Sequence, residues 1–144
     1  MDADEVIRRL ELAPHPEGGW YRETWRHEAG DGSRGAGTSI YFLLVCHERS
    51  RWHRIDADEI WHHYGGDPLL LRTWADPDEF TETVLGPDLT AGQSPQARVP
   101  RSVWQSAAST GAWTLVGCTV SPAFDFDGFE VAPVDWEPPG ASAG

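Results

Sequence analysis

Lysine is absent from this chain of 144 residues: all 11 basic side chains are arginine. That excludes chemistry running through a lysine imine or a lysine general acid. Positive charge is scarce overall, with 11 basic against 23 acidic residues, a formal charge of -12 and a pI near 4.7. Phosphate contacts need a basic footprint, so this balance argues against nucleic acid as a partner. Cysteine is nearly missing as well. Cys46 and Cys118 lie in separate apolar runs, where they read as buried strand residues, and neither has the neighbouring thiol that a zinc knuckle requires. No apolar run reaches the length of a membrane span; the longest, residues 40–46, suits a buried strand. The opening Met1-Asp2-Ala3-Asp4-Glu5 lacks the basic-then-apolar order of a secretory signal, so a cytoplasmic location is expected.

What the chain does contain is turn formers and aromatics: 15 glycines, 11 prolines and 8 tryptophans set among short apolar runs. That composition favours strands and turns over long helices. Apolar residues at 6, 7 and 10, opened by Asp4 and Glu5, predict one short helix that Pro14 and Pro16 terminate. Strands are predicted over residues 20–26, 38–47, 51–55, 59–64, 69–74, 80–85, 96–99, 103–107 and 112–120, with a further one within 124–131. The length is that of one domain, taken as residues 1–136, and the proline- and glycine-rich segment 137–144 is expected to lack structure. The fold class is all-β, a jelly roll with a short N-terminal helix. Periodicity alone leaves an open sandwich almost equally favoured.

Two incomplete motifs tip that choice. Residues 53–66 fit the spacing H-x-H-x3-E-x6-G, with His53, Glu59 and Gly66 in place and Ile55 where the second histidine would stand. Residues 100–105 fit P-x-G-x2-H, with Ser102 for the glycine and Gln105 for the histidine. These half-motifs resemble those of the cupin superfamily. Four further stretches resemble one cupin-type family of undefined function: Pro14 to Tyr21 (PHPEGGWY), Thr38 to Leu44 (TSIYFLL), Trp52 to His62, and Val116 to Pro122 with Asp125 and Phe126. The resemblance spans roughly residues 10–131. It implies a double-stranded β-helix barrel, usually dimeric, with a pocket in its mouth and an architecture like that of sugar-nucleotide epimerases. Most cupins hold a divalent metal on three histidines and one glutamate, and here His53 and Glu59 alone remain as strong ligands.

His53, Glu59 and Gln105 are therefore expected to meet in one pocket. A neutral His53 beside Glu59 suits proton transfer next to a carbonyl, with Gln105 orienting the substrate, as in an isomerase, epimerase or lyase. No cofactor is then needed. The alternative is a divalent metal held weakly by His53, Glu59 and Gln105, as in a metal-dependent oxygenase or isomerase. A third reading is a barrel that carries its ligand without turnover, the trio being a satisfied polar network. Strand alternation from Glu59 places Trp61 and His63 inside, whereas the family pattern favours His62 as a further catalytic candidate. Arg22 and Arg51 are candidates for gripping an anionic group, Ser39 and Tyr41 for lining the pocket, and Trp61 and Trp104 for stacking on a ring. His15 and Glu17 read as turn residues that set up the first strand. The expected partner is a small polar or anionic organic molecule, bound by a homodimer.

Overall fold

In the computed structural model, which describes residues 1–141, two antiparallel sheets face each other around one core, with a short N-terminal helix, the jelly roll the strand pattern predicts. Helix α1 (Ala3–Leu10) starts at Asp2, whose side chain accepts from the Glu5 backbone N–H at 2.9 Å, and ends where Glu11 turns left-handed at φ 56°. Its apolar stripe of Val6, Ile7 and Leu10 packs on the outside of the first sheet, against Leu43, Tyr41, Trp20 and Leu115.

The first sheet runs in the order β1 (Ala13–Pro14), β2 (Trp20–Arg26), β3 (Thr38–Val45), β10 (Trp113–Ser121), β5 (Asp58–Gly66), β8 (Gln96–Val99). The second runs β11 (Phe129–Val131), β4 (Arg49–Ile55), β9 (Trp104–Ser109), β6 (Leu69–Ala75), β7 (Glu79–Leu85). Side chains alternate across each strand, so one face of each sheet looks inward. At one end those inward residues are apolar: Phe42, Leu44, Trp61, Leu69, Leu71, Val99 and Val116 form the packed core. Burying each large side chain contributes roughly 1.5–3 kcal/mol before entropy is counted. Towards the other end the same inward faces continue as Thr38 and Ile40 on β3, His53 and Ile55 on β4, and Glu59 on β5, and there they line a cavity.

A second aromatic layer lies outside the β4–β9–β6 surface, where Trp52, Trp74, Trp104 and Trp136 pack with Phe80, Ala132 and Ala141. Of the terminal segment expected to lack structure, residues 142–144 lie outside the described residues, whereas Ala141 is buried in this layer. Cys118 is buried as expected. Cys46 is exposed instead, because β3 stops at Val45 and places the thiol in the following turn. No helix among the described residues is long and apolar enough to cross a membrane.

Candidate functional site

The site begins in the turn of residues 15–19. His15 N–H donates to the Gly19 carbonyl at 2.9 Å, and Gly18 N–H donates to the His15 carbonyl at 3.0 Å. Gly18 and Gly19 hold φ of 101° and 81°, a region costly for any other residue, and a Cβ on Gly18 would stand 2.7 Å from the Arg49 carbonyl oxygen. The turn is pressed against β4 because Arg51 N–H donates to the Glu17 carbonyl at 2.7 Å. That backbone bond delivers the Glu17 side chain over His53, two residues along the strand.

There the Glu17 carboxylate Oε2 lies 2.7 Å from His53 Nε2, with both side chains buried. The other ring nitrogen, Nδ1, lies 2.7 Å from the Arg51 carbonyl oxygen. A carbonyl can only accept, so Nδ1 carries a hydrogen, and a second proton is shared between Nε2 and Glu17. Burial works against a charged ring, yet attraction and hydrogen bonding from Glu17, helped by the charge of Glu59 and the Arg51 carbonyl, overcome it and raise the His53 pKa to about 9. At neutral pH the pair is an imidazolium and a carboxylate.

Gln105, fully buried, links Glu59 to the core. Trp61 Nε1–H donates to Gln105 Oε1 at 2.9 Å, and Gln105 Nε2 donates to Glu59 Oε1 at 2.8 Å. An indole is a donor only, so the sense of the amide is dictated by Trp61: oxygen towards the indole, nitrogen towards the carboxylate. Burial is the main influence on Glu59; with the charge of Glu17 it outweighs His53, Gln105 and Cys118 and raises the pKa to about 7. Burial likewise lowers the pKa of His15, more than Glu17 raises it. Its Nδ1 accepts from the Glu17 N–H at 3.1 Å, which leaves the hydrogen of the neutral ring on Nε2.

His15, Glu17, His53 and Glu59 line a cavity of about 420 Å³ whose other walls include Ile40, Ile55, Val120, Phe124, Phe126 and Phe129, with Tyr21, Arg22, Glu11 and Glu23 contributing polar edges. The volume falls within the range of small-molecule sites.

His53 and Glu59 thus meet in the cavity, whereas Gln105, expected there to orient a substrate, lies behind its lining as the register partner of His53 between β4 and β9 and as a donor to Glu59. Several other candidates stand elsewhere. Ser39 and Tyr41 lie outside the cavity lining, and their β3 neighbours Thr38 and Ile40 line it in their place. Trp61 is core, 1% exposed, and touches the site only through Gln105. Trp104 packs in the outer aromatic layer beneath the Arg54 guanidinium, 4.6 Å above its ring. His62 bonds to Thr119 Oγ1 at 3.0 Å and receives the Gln96 amide at 3.3 Å, while inward-facing Glu59 and Trp61 keep strict alternation through this part of β5. The bulge opposite β10 falls after His63, too late to turn His62 inward. Arg51 sits at a register shift of β4, and its guanidinium donates to the Ala132 carbonyl at 2.6 Å. Arg22 does line the cavity, engaged with Glu11 at 3.3 Å. Glu17 and His15, read from the sequence as turn residues, are the site members that reading missed.

A divalent metal is the group this architecture would suggest, and the donors present do not fit one. The outward nitrogen of His53 is taken by Glu17, Gln105 turns its nitrogen inward, and Ile55 stands where a histidine ligand would. Among the described residues no set of three His, Cys, Asp or Glu side chains is placed to hold a metal ion.

Two facing antiparallel sheets with a cavity at one end define a cupin-type barrel. Residues 4–132 match the family described as Cupin superfamily (DUF985), and the chain belongs to it. Protein SO0799 from Shewanella oneidensis is 44% identical over 92% of this chain and 85% of its own, with a TM-score of 0.87. A hypothetical protein from Leishmania major is 32% identical over 92% and 88%, with a TM-score of 0.83. Oxalate decarboxylase from Bacillus subtilis shares the fold alone, at 10% identity and a TM-score of 0.64, over 82% of this chain and 29% of that enzyme. No curated protein matches.

Proposed function

We propose that the cavity binds a small polar organic molecule and that its chemistry is metal-independent proton transfer at a carbon next to a carbonyl. The observation that carries this reading is the pairing, on one cavity floor, of a carboxyl whose pKa lies at about 7 with an imidazolium held charged by a second carboxylate. A group titrating near the working pH both takes and returns a proton efficiently. Glu59 is then the better acid/base, since both nitrogens of His53 are already engaged. In such a step the Glu59 carboxylate takes the proton from carbon, the electron pair moves to the carbonyl oxygen, and the fixed positive charge of His53 steadies the enolate. Returning the proton to the same carbon or its neighbour completes an epimerisation or an isomerisation.

The test is solvent exchange in heavy water with hydroxyacetone and hydroxyacetophenone, followed by NMR. Deuterium should enter the carbon beside the carbonyl faster than in protein-free buffer, and Glu59→Gln should remove that acceleration while circular dichroism stays unchanged. The same rate with and without protein, together with ligand retention by native mass spectrometry, would instead establish a carrier. The internal saturation of the Trp61–Gln105–Glu59 chain is what favours that second reading. The proposal also takes the protein as a cytoplasmic homodimer, which light scattering on the purified chain checks for its oligomeric part.

A further inference from the structure

The charges around the cavity select its ligand more narrowly than size does. Four carboxylates line it, those of Glu11, Glu17, Glu23 and Glu59, against a single guanidinium, Arg22. At the rim the balance is even: Glu11 is met by Arg22 at 3.3 Å, and Glu23 by Arg26 in a two-pronged bond of 2.9 and 2.8 Å. On the floor it is not. Glu17 and Glu59 share one cation, the His53 ring, which spends its Nε2 hydrogen on Oε2 of Glu17.

Oε1 of Glu17 receives no donor from the described residues. The ring nitrogen Nδ1 of His15, 4.0 Å away, is an acceptor already engaged by the Glu17 N–H. The residue is 5% exposed, so water satisfies that oxygen only by entering the cavity. Glu59, 7% exposed, has the Gln105 amide and a neighbouring thiol but no full positive charge in contact. Both carboxylates border the apolar wall of Ile55, Val120, Phe124 and Phe129. Phe126, 52% exposed at the same cavity, extends that wall towards solvent.

We propose that the cavity is built for a monocationic amine carried on a flat apolar body. The ammonium group supplies the donors and the charge that the floor lacks, between Glu17 and Glu59, and the ring or chain packs on the phenylalanine wall. An anion would meet the two carboxylates with no guanidinium at the floor to offset them, since Arg51 is turned to Ala132 on the far side of β4. This inference rests on the same cavity as the proposed chemistry but needs no turnover.

The experiment uses three probes of nearly one shape and different charge: phenethylamine, phenylethanol and phenylacetate, titrated calorimetrically into the intact protein. At about pH 8 the amine should bind about tenfold tighter than the alcohol, with the acid weakest. Lowering the pH to about 5.5 protonates Glu59 and should erase most of the amine's advantage, although phenethylamine itself stays cationic. Glu59→Gln should do the same at about pH 8, and the pH series on the unaltered protein gives the answer even if that variant misfolds. Phenylacetate binding as tightly as the amine, an amine preference indifferent to pH, or no binding of any probe at millimolar concentration would each overturn the proposal. Amine preference without deuterium exchange leaves this inference standing and removes the catalytic reading; exchange without amine preference does the reverse.

Discussion

Replacing Glu17 by glutamine keeps the shape of the floor and removes one charge, and its consequence can be worked from the geometry. The carboxylate lies 2.7 Å from His53 Nε2 with both side chains buried, and it is the strongest influence raising the ring's pKa. A histidine whose folded pKa lies above its unfolded value contributes stability that is full below the unfolded pKa and is lost as pH rises through the folded one. Here the window runs from 6.5 to about 9. A displacement of that size corresponds to about 3 kcal/mol. Without Glu17, burial returns the ring to its neutral form, with hydrogen on Nδ1 facing the Arg51 carbonyl and Nε2 accepting from the new amide. Glu17→Gln should therefore cost about 3 kcal/mol near pH 6 and only a few tenths above pH 9. Urea unfolding across that range reads the difference. Nitrogen-15 NMR of the ring at neutral pH separates His53 from other titrating groups, with both nitrogens protonated in the unaltered protein and one in the variant. A gap that stays constant with pH, or a ring already neutral before the substitution, would refute the reasoning.

Four further outcomes follow from the same contacts. Gln105→Ala strips partners from the Trp61 indole and from Glu59 together and should lower stability by roughly 2–5 kcal/mol in urea unfolding. Gly18→Ala forces a side chain into left-handed backbone and against the Arg49 carbonyl, so a loss of about 1–3 kcal/mol is expected, with the His53 pKa falling as the turn lifts from β4. Protein purified without an affinity tag should contain well under one metal ion per chain by elemental analysis, and a strong chelator should leave its melting temperature unchanged. In Glu59→Gln the gain should grow as pH rises, because a carboxyl whose folded pKa is raised from 4.5 to about 7 penalises folding progressively across that interval. Thermal melts at about pH 5 and pH 8 compare the two ends.

The strands and their turns were legible because glycine and proline punctuate short apolar runs, and the convergence of positions 53, 59 and 105 was legible because motif spacing encodes it. What escaped has physical reasons. On β3 both faces are apolar, since α1 covers the outer one, and alternation cannot then say which residues look inward; the expectation of Ser39 and Tyr41 falls on the face opposite Thr38 and Ile40. The contact of Glu17 with His53 joins residues 36 positions apart through a turn that has no periodicity, so only its glycine pair hinted that the backbone was being held for a purpose. Trp104 looked like a pocket residue because its neighbour Gln105 reaches Glu59; the irregular segment after β11, which supplies Trp136 to cover it, gave no sign of packing.

The orientation of a single amide has a consequence for redesign. Placing imidazoles at positions 55 and 105 would not by itself build a chelate, because the indole of Trp61 would lose its acceptor and the carboxylate of Glu17 would still cap the His53 nitrogen. A design that places a metal here has to treat positions 17, 55, 61 and 105 together.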